Sequence, residues 1–237
     1  MNRPGAAVRR REAGLTLIEL TVAMMIVGVL AAAVGTVTIS SFKAMRVASV
    51  KVATGADARV AMETVSRTLR VATVPTGEAS AIVTGSYDAI SFYALLIRSS
   101  STATPLPTLV EYYRDSSTKC LMEAQTPARV LGAPVGTSIY AWDTGRVARC
   151  VVRTTQVPTS AAPWFSYYDD GQLTSGGTAV VPLTVPVGGL LLADRQSVLS
   201  VGVTLTVTDP LNPTVNGVSD EVRVTLSNVS LSNGGGA

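Results

Sequence analysis

The 237-residue chain contains no histidine, and that gap removes much familiar chemistry. The most common general base is missing, so Ser-His triads and His-ligated zinc are excluded. The only two cysteines, Cys120 and Cys150, cannot build a four-thiolate zinc site. Neither a P-loop nor a dinucleotide fingerprint occurs. Ser40-Ser41-Phe42-Lys43 and Ser116-Ser117-Thr118-Lys119 have the S-x-x-K spacing of penicillin-binding enzymes. No Ser-Asp-Asn or Lys-Thr-Gly accompanies either, so no catalytic residue, cofactor or resident metal is assigned. Charge is also scarce, at 15% of residues, and the formal net +3 is local: Arg3, Arg9, Arg10 and Arg11 stand against Glu12. Beyond residue 14 the chain is nearly neutral, and we read no clustered basic surface of the kind that holds nucleic acid.

What is present begins with a long apolar run. Residues 15–39 contain one charge, Glu19, among Val, Leu, Ile, Ala and Met. About 25 helical residues rising about 1.5 Å each span a bilayer core. Gly28, Ala31 and Gly35 are small enough to let neighbouring helices approach, or are simple lipid-facing filler. The arginines before the run place residues 1–14 on the cytoplasmic side and the remainder outside. A carboxylate costs roughly 2.5–3.5 kcal/mol at the centre of a spanning helix, less near its end, so Glu19 needs a partner. Two other readings compete: a secretory signal cut near Ala31-Ala32-Ala33, and a plain single-pass anchor. A charge inside the apolar core works against the first, and ordinary anchors avoid a carboxylate at that depth.

Gly14-Leu15-Thr16-Leu17-Ile18-Glu19, with its basic leader and apolar run, resembles the cleavage and N-methylation motif of type IV prepilins and type II secretion pseudopilins. Leu15 stands where phenylalanine is most frequent, and Thr36 where many major pilins carry proline. The resemblance implies cleavage after Gly14 by prepilin peptidase and methylation of the new amino terminus on Leu15. It further implies that Glu19 meets the terminus of a neighbouring subunit during filament assembly. The implied partners are other pilin or pseudopilin subunits, the peptidase, an inner-membrane assembly platform and membrane lipid. The implied location is the inner membrane, then a pilus or the periplasm.

From Ser40 to Thr73 the pattern turns amphipathic. Val47, Val50, Thr54, Ala58, Ala61 or Met62, Val65 and Leu69 recur at helical spacing, and no proline interrupts residues 15–74. One helix of nearly 60 residues, about 85 Å long, is expected to stop at Pro75. The chain thus divides into a leader (1–14), a membrane helix (15–39), its amphipathic continuation (40–74) and a β-rich head (75–237). Excluding leader and anchor leaves roughly 195 residues, enough for one sizeable core.

Within the head, Tyr87–Ile97 reads as a strand. Leu109–Arg114 and Lys119–Ala124 form a hairpin around Asp115-Ser116-Ser117, and Ser138–Trp142 pairs with Arg146–Val157 around Asp143-Thr144-Gly145. Trp164–Tyr168 is an aromatic strand, Leu190–Leu199 a helical turn, and residues 201–207 and 222–226 alternate with period two. The fold class is α+β: a pilin-like long helix packed on an antiparallel sheet. Val110-Glu111-Tyr112-Tyr113-Arg114, Trp164-Phe165-Ser166-Tyr167-Tyr168-Asp169-Asp170-Gly171 and the closing strand pair resemble minor pilins and pseudopilins of PilW-like or J-like type.

Other candidates have plainer readings beside them. Cys120 and Cys150 are a candidate disulfide closing a loop of about 30 residues, or two thiols that never meet. Asp169-Asp170-Gly171, or Asp209, Asn212, Asn216 and Asp220, offer calcium ligands, or are turn residues. Asn228-Val229-Ser230 fits a short glycosylation pattern. Trp164, Phe165, Tyr167 and Tyr168 form a ligand platform or pack a core. The functional expectation is a non-catalytic minor pilin or pseudopilin. The alternative is a monomeric, membrane-tethered binding domain that uses the aromatic strand.

Overall fold

The structure is a computed structural model that describes residues 16–96, 106–131, 140–154, 156–169, 181–209, 217–227 and 229. It divides into two compact units, residues up to Ala48 and residues from Ser49 onward. Helix α1, Leu17–Arg70, supplies the first unit and the opening element of the second. Within Ser49–Arg70, burial begins at Thr54 and continues through Ala58, Ala61, Met62, Val65 and Leu69 at three- and four-residue steps. Val47, expected on the same stripe, is 41% exposed. Fully buried Ala58 and Ala61 have no bulk to hold the sheets away.

The helix ends at Arg70, short of the expected stop at Pro75. Arg67 and Arg70 face the negative end of the helix dipole in the last turn. Residues 71–73 then find strand partners instead of helical ones. Thr73 N donates to Tyr93 O at 2.9 Å, Leu95 N donates to Val71 O at 3.1 Å, and Ala72 bridges Ala94. Backbone pairing to a distant strand, rather than the proline, terminates the helix.

Five antiparallel strands form the first sheet: β1 (Ile82–Gly85), β2 (Ile90–Ala94), β3 (Thr108–Asp115), β4 (Cys120–Pro127) and β7 (Val147–Arg153), in the order β1-β2-β3-β4-β7. Between β4 and β7 in the chain, β5 (Arg129–Val130) and β6 (Tyr140–Ala141) form a separate two-stranded ladder. A three-stranded antiparallel sheet, in the order β10-β9-β8, comprises β8 (Phe165–Asp169), β9 (Val198–Val207) and β10 (Val218–Thr225). The short helix α2, Leu192–Ser197, leads into β9.

Two strand readings are corrected. Tyr87 and Asp88 are not strand but the β1–β2 turn, where the Ser86 hydroxyl donates to Asp88 Oδ1 at 2.6 Å and accepts from Ala89 N at 3.1 Å. Ile97 lies outside the described residues, as do Ser138 and Ile139. The segments flanking Asp143-Thr144-Gly145 do not pair with each other: β6 joins β5, and β7 joins β4. Side-chain links explain the divergence. Asp143 is held by Arg129 at 2.8 Å, whereas Arg146 and Arg149 reach Glu111 and Glu123 on the five-stranded sheet. The β3–β4 hairpin matches expectation. Its turn is tied by Asp115, which accepts from Ser117 N at 2.9 Å, Ser117 Oγ at 2.7 Å and Thr118 Oγ1 at 2.7 Å.

Leu69, Phe92, Tyr112 and Leu121 meet Trp164, Phe165, Tyr167, Val203 and Leu226 in one core between α1 and both sheets. Tyr167 donates its hydroxyl to Ser86 O at 2.9 Å, and Trp164 donates Nε1 to Gln156 Oε1 at 3.4 Å. The architecture is α+β, with a long N-terminal helix and antiparallel sheets, consistent with a pilin-like fold.

Candidate functional site

The start of α1 is built from local chemistry. Thr16 precedes the first helical residue, its carbonyl accepts from Glu19 N at 3.0 Å, and its hydroxyl lies 3.4 Å from the same amide. Thr16-Leu17-Ile18-Glu19 therefore has the spacing of a capping box, with a carboxylate in the first turn where free amides carry partial positive charge. Glu19 is exposed, and among the described residues its carboxylate has neither a hydrogen bond nor an ion pair.

Around that acid everything else is suited to lipid. Leu17, Ile18, Met24, Met25, Val27, Val34 and Ile39 are exposed, and the helix is long and apolar enough to cross a membrane. All five hydroxyls between residues 17 and 41 are satisfied within the helix. Thr21 donates to Ile18 O, Thr36 to Ala33 O, Thr38 to Val34 O, and Ser40 and Ser41 both to Val37 O. Such back-bonding leaves no hydroxyl donor orphaned in a medium that offers none in return. Glu19 is the polar group of this stretch that its own helix does not satisfy.

Residues 9–35 match the family model of the prokaryotic N-terminal methylation motif. The chain carries a type IV prepilin-like signal. The signal spans Glu19 and most of the apolar run, so the unpaired acid lies inside the matched segment. No curated protein and no solved structure matches the chain. The prepilin-like signal implies processing by prepilin peptidase and assembly with other pilin subunits, and with the apolar helix it supports anchoring in a membrane.

The remaining candidates fall out as follows. Gly14 and Leu15 lie outside the described residues, as do Asp170, Gly171, Asn212, Asn216, Asn228 and Ser230. Cys120 and Cys150 form a disulfide with Sγ atoms 2.12 Å apart. Asp169 and Asp220 end up on different strands, β8 and β10, and no group of three His, Cys, Asp or Glu able to hold a metal occurs among the described residues. Of the two S-x-x-K serines, Ser40 sits in α1 with its hydroxyl on Val37 O, and Ser116 is exposed in the β3–β4 turn. The aromatic strand is core: Trp164, Phe165 and Tyr167 are fully buried, and the half-buried Tyr168 ring is covered by the Arg223 guanidinium at 3.9 Å.

One cluster escaped the sequence reading. Glu123 is 1% exposed, yet it accepts from Arg149 Nε at 2.9 Å and Nη2 at 2.6 Å, and also from Gln125 Nε2. Tyr112, its register partner on β3, is fully buried. Burial, reinforced by the Glu123 charge, holds the Tyr112 phenol far above its ordinary range. Leu121 and Glu123 share one face of β4, so strand alternation does place this acid inward. The alternation is legible in the sequence, whereas the Arg149 partner, 26 residues away, is not.

Proposed function

We propose that this protein is a non-catalytic minor pilin or pseudopilin, cut after Gly14 by prepilin peptidase, methylated on Leu15 and assembled through its N-terminal helix. The observation that carries this reading is the exposed, unpartnered Glu19 carboxylate at the start of a helix otherwise matched to lipid. Cleavage would place a cationic amino terminus four residues ahead of it. A terminus and an acid on the same chain are held at one spacing, whereas a neighbouring subunit can bring its own terminus to Glu19. In low dielectric an unpaired carboxylate is costly and a paired one is directional, so the pair would set the register between subunits while apolar helices supply the contact area. The inner-membrane assembly platform and lipid are the remaining partners of this reading. Its location is the inner membrane, then pilus or periplasm, with PilW-like or J-like minor pilins the subtype it most resembles.

The experiment is N-terminal mass analysis of the full chain expressed with a prepilin peptidase. A methylated Leu15 is expected, and an intact arginine-rich leader would overturn the reading. Glu19→Ala is expected to be inserted and cleaved normally but excluded from filaments at least about tenfold, as fits loss of a desolvated charge pair. Unchanged incorporation would remove the pairing role.

A further inference from the structure

Strand β9 has a gap in its backbone pairing that two side chains fill. Its ladder with β8 reaches Thr204, whose amide donates to Trp164 O at 2.9 Å. Two residues further, Thr206 presents its amide and carbonyl on the same side, and among the described residues no strand lies beside it there. The Thr206 carbonyl accepts from Thr154 Oγ1, and its amide donates to Gln156 Oε1 at 3.0 Å. The same Gln156 oxygen accepts from Trp164 Nε1 at 3.4 Å, and Gln156 N donates to Thr154 Oγ1 at 3.1 Å. Thr154 is 2% exposed, so this joint between the two sheets is buried at its centre. Thr154 and Gln156 take the place of a strand where β8 has run out, and both backbone groups of Thr206 find partners.

Those two side chains are positioned by the end of β7. The Thr154 amide donates to Lys119 O at 2.8 Å, and Lys119 is the residue before Cys120. Lys119 has a φ of 55°, a left-handed conformation that a non-glycine residue keeps only where its surroundings hold it. Further back, Val151 has no register partner on β4: Val152 pairs with Leu121 and Cys150 with Met122, so the ladder is interrupted between them. The Cys120–Cys150 disulfide spans that interruption. Little else fastens this stretch, since Val147, Ala148, Arg149 and Cys150 are exposed and Val152 is the buried residue of the strand. Arg149 reaches Glu123 independently of the disulfide, so β7 keeps one tether to β4 when the sulfurs part.

We propose that the Cys120–Cys150 disulfide is a redox-sensitive lock on the joint between the two sheets. Closed, it holds Thr154 and Gln156 against Thr206; open, it frees residues 204–207 of β9 while the rest of the head stays folded. Cys120 is 2% exposed whereas Cys150 is exposed, so the thiolate of a small dithiol attacks the Cys150 sulfur. The bond to Cys120 breaks as the mixed disulfide forms, and Cys120 leaves as a thiolate that takes up a proton. The second thiol of the reductant loses its proton and displaces Cys150, which leaves with the electron pair and is protonated in turn. Two electrons and two protons pass from the dithiol, which ends as a disulfide, to the protein. Opening is local because the strand it releases buries little, and such segments open without the core. The lock is independent of leader cleavage and of Glu19.

The test is amide hydrogen–deuterium exchange, read by mass spectrometry, on the full chain in detergent at neutral pH with and without dithiothreitol. On reduction, peptides covering residues 147–154 and 204–207 are expected to exchange at least about tenfold faster, and those covering residues 54–69 and 108–115 to change less than about twofold. Reoxidation is expected to restore the starting rates. A disulfide that stays closed in dithiothreitol, an unchanged 204–207 segment, a change that reoxidation does not reverse, or equal acceleration throughout the head would each overturn the lock. The route is tested by combining Thr154→Val with Gln156→Leu. There residues 204–207 should exchange about tenfold faster with the disulfide closed, and reduction should add less than about twofold. Thr154→Ser, which keeps the hydroxyl, should respond to reduction as the parent does. A response to reduction that persists undiminished in the double variant would overturn the joint as the route. Slow exchange over residues 54–69 shows that a variant has folded, and the parent chain alone decides the lock where one has not.

Discussion

Helix α1 is one continuous element with two different solvents. Over Leu17–Ala48 its large apolar side chains are exposed on every side and its hydroxyls are turned back onto its own carbonyls. Over Ser49–Arg70 it buries one stripe, Thr54 to Leu69, while Lys51, Arg59, Glu63, Arg67 and Arg70 stay in solvent. The same backbone thus serves as anchor and as core element, and side-chain pattern alone separates the roles. In the first stretch stability comes from backbone bonds and a surrounding apolar medium, and in the second from packing against two sheets.

That contrast can be broken by experiment, and the largest effect is expected in the core. Leu69→Ala removes a fully buried side chain and should cost the head about 2–5 kcal/mol, whereas Leu30→Ala, at a position 59% exposed, should leave head unfolding unchanged. Denaturant unfolding of the detergent-solubilised chain, followed by tryptophan fluorescence, measures both. Equal losses would mean that the two stretches are not energetically distinct.

A second comparison sets a buried ion pair against an exposed one. Arg149→Ala strands the Glu123 carboxylate, 1% exposed, and should cost about 1–3 kcal/mol. The figure stays below that of a fully enclosed pair because the Arg149 side chain, 61% exposed, reaches in from solvent. Arg129→Ala, from a pair exposed on both sides, should cost clearly less. The ratio of the two losses is the readout, and a larger loss at Arg129 would reverse the assignment.

The smallest effect concerns the β3–β4 turn. Hydrogen bonds from Thr118 and then Ser117 lower the Asp115 carboxyl from its ordinary value to about 2. A folded-state value below the unfolded one means that this contribution is complete above about pH 4 and fades as pH falls through about 2. Asp115→Asn should therefore melt slightly lower than the parent at neutral pH and converge with it near pH 2. A gap that persists in acid would show that the charge is not what ties the turn.

The two parts of the molecule also differ in how far they could be read in advance. The helix, the Asp115 hairpin and the alternating β9 and β10 were visible because each is a pattern between near neighbours in the chain. Glu19 stood out for the same reason, as one charge in an apolar run. The β1–β2 turn was misread because Tyr87, Asp88 and Ala89 sit among strand-forming neighbours, while the bonds that bend them come from Ser86. The ion pair that joins β7 to β4 was not legible, since Glu123 and Arg149 are 26 residues apart, whereas Cys120 and Cys150 stand out as the only two cysteines.

Periodicity and the leader motif were enough to specify an apolar helix with a lone acid, an amphipathic continuation and a β-rich remainder, since each depends on residues a few positions apart. Where α1 stops, which strands pair, and that Glu123 finds Arg149 as its partner were settled by folding. Those outcomes depend on which distant backbone reaches an unpaired amide or carboxylate first, and local order in the chain does not encode that competition.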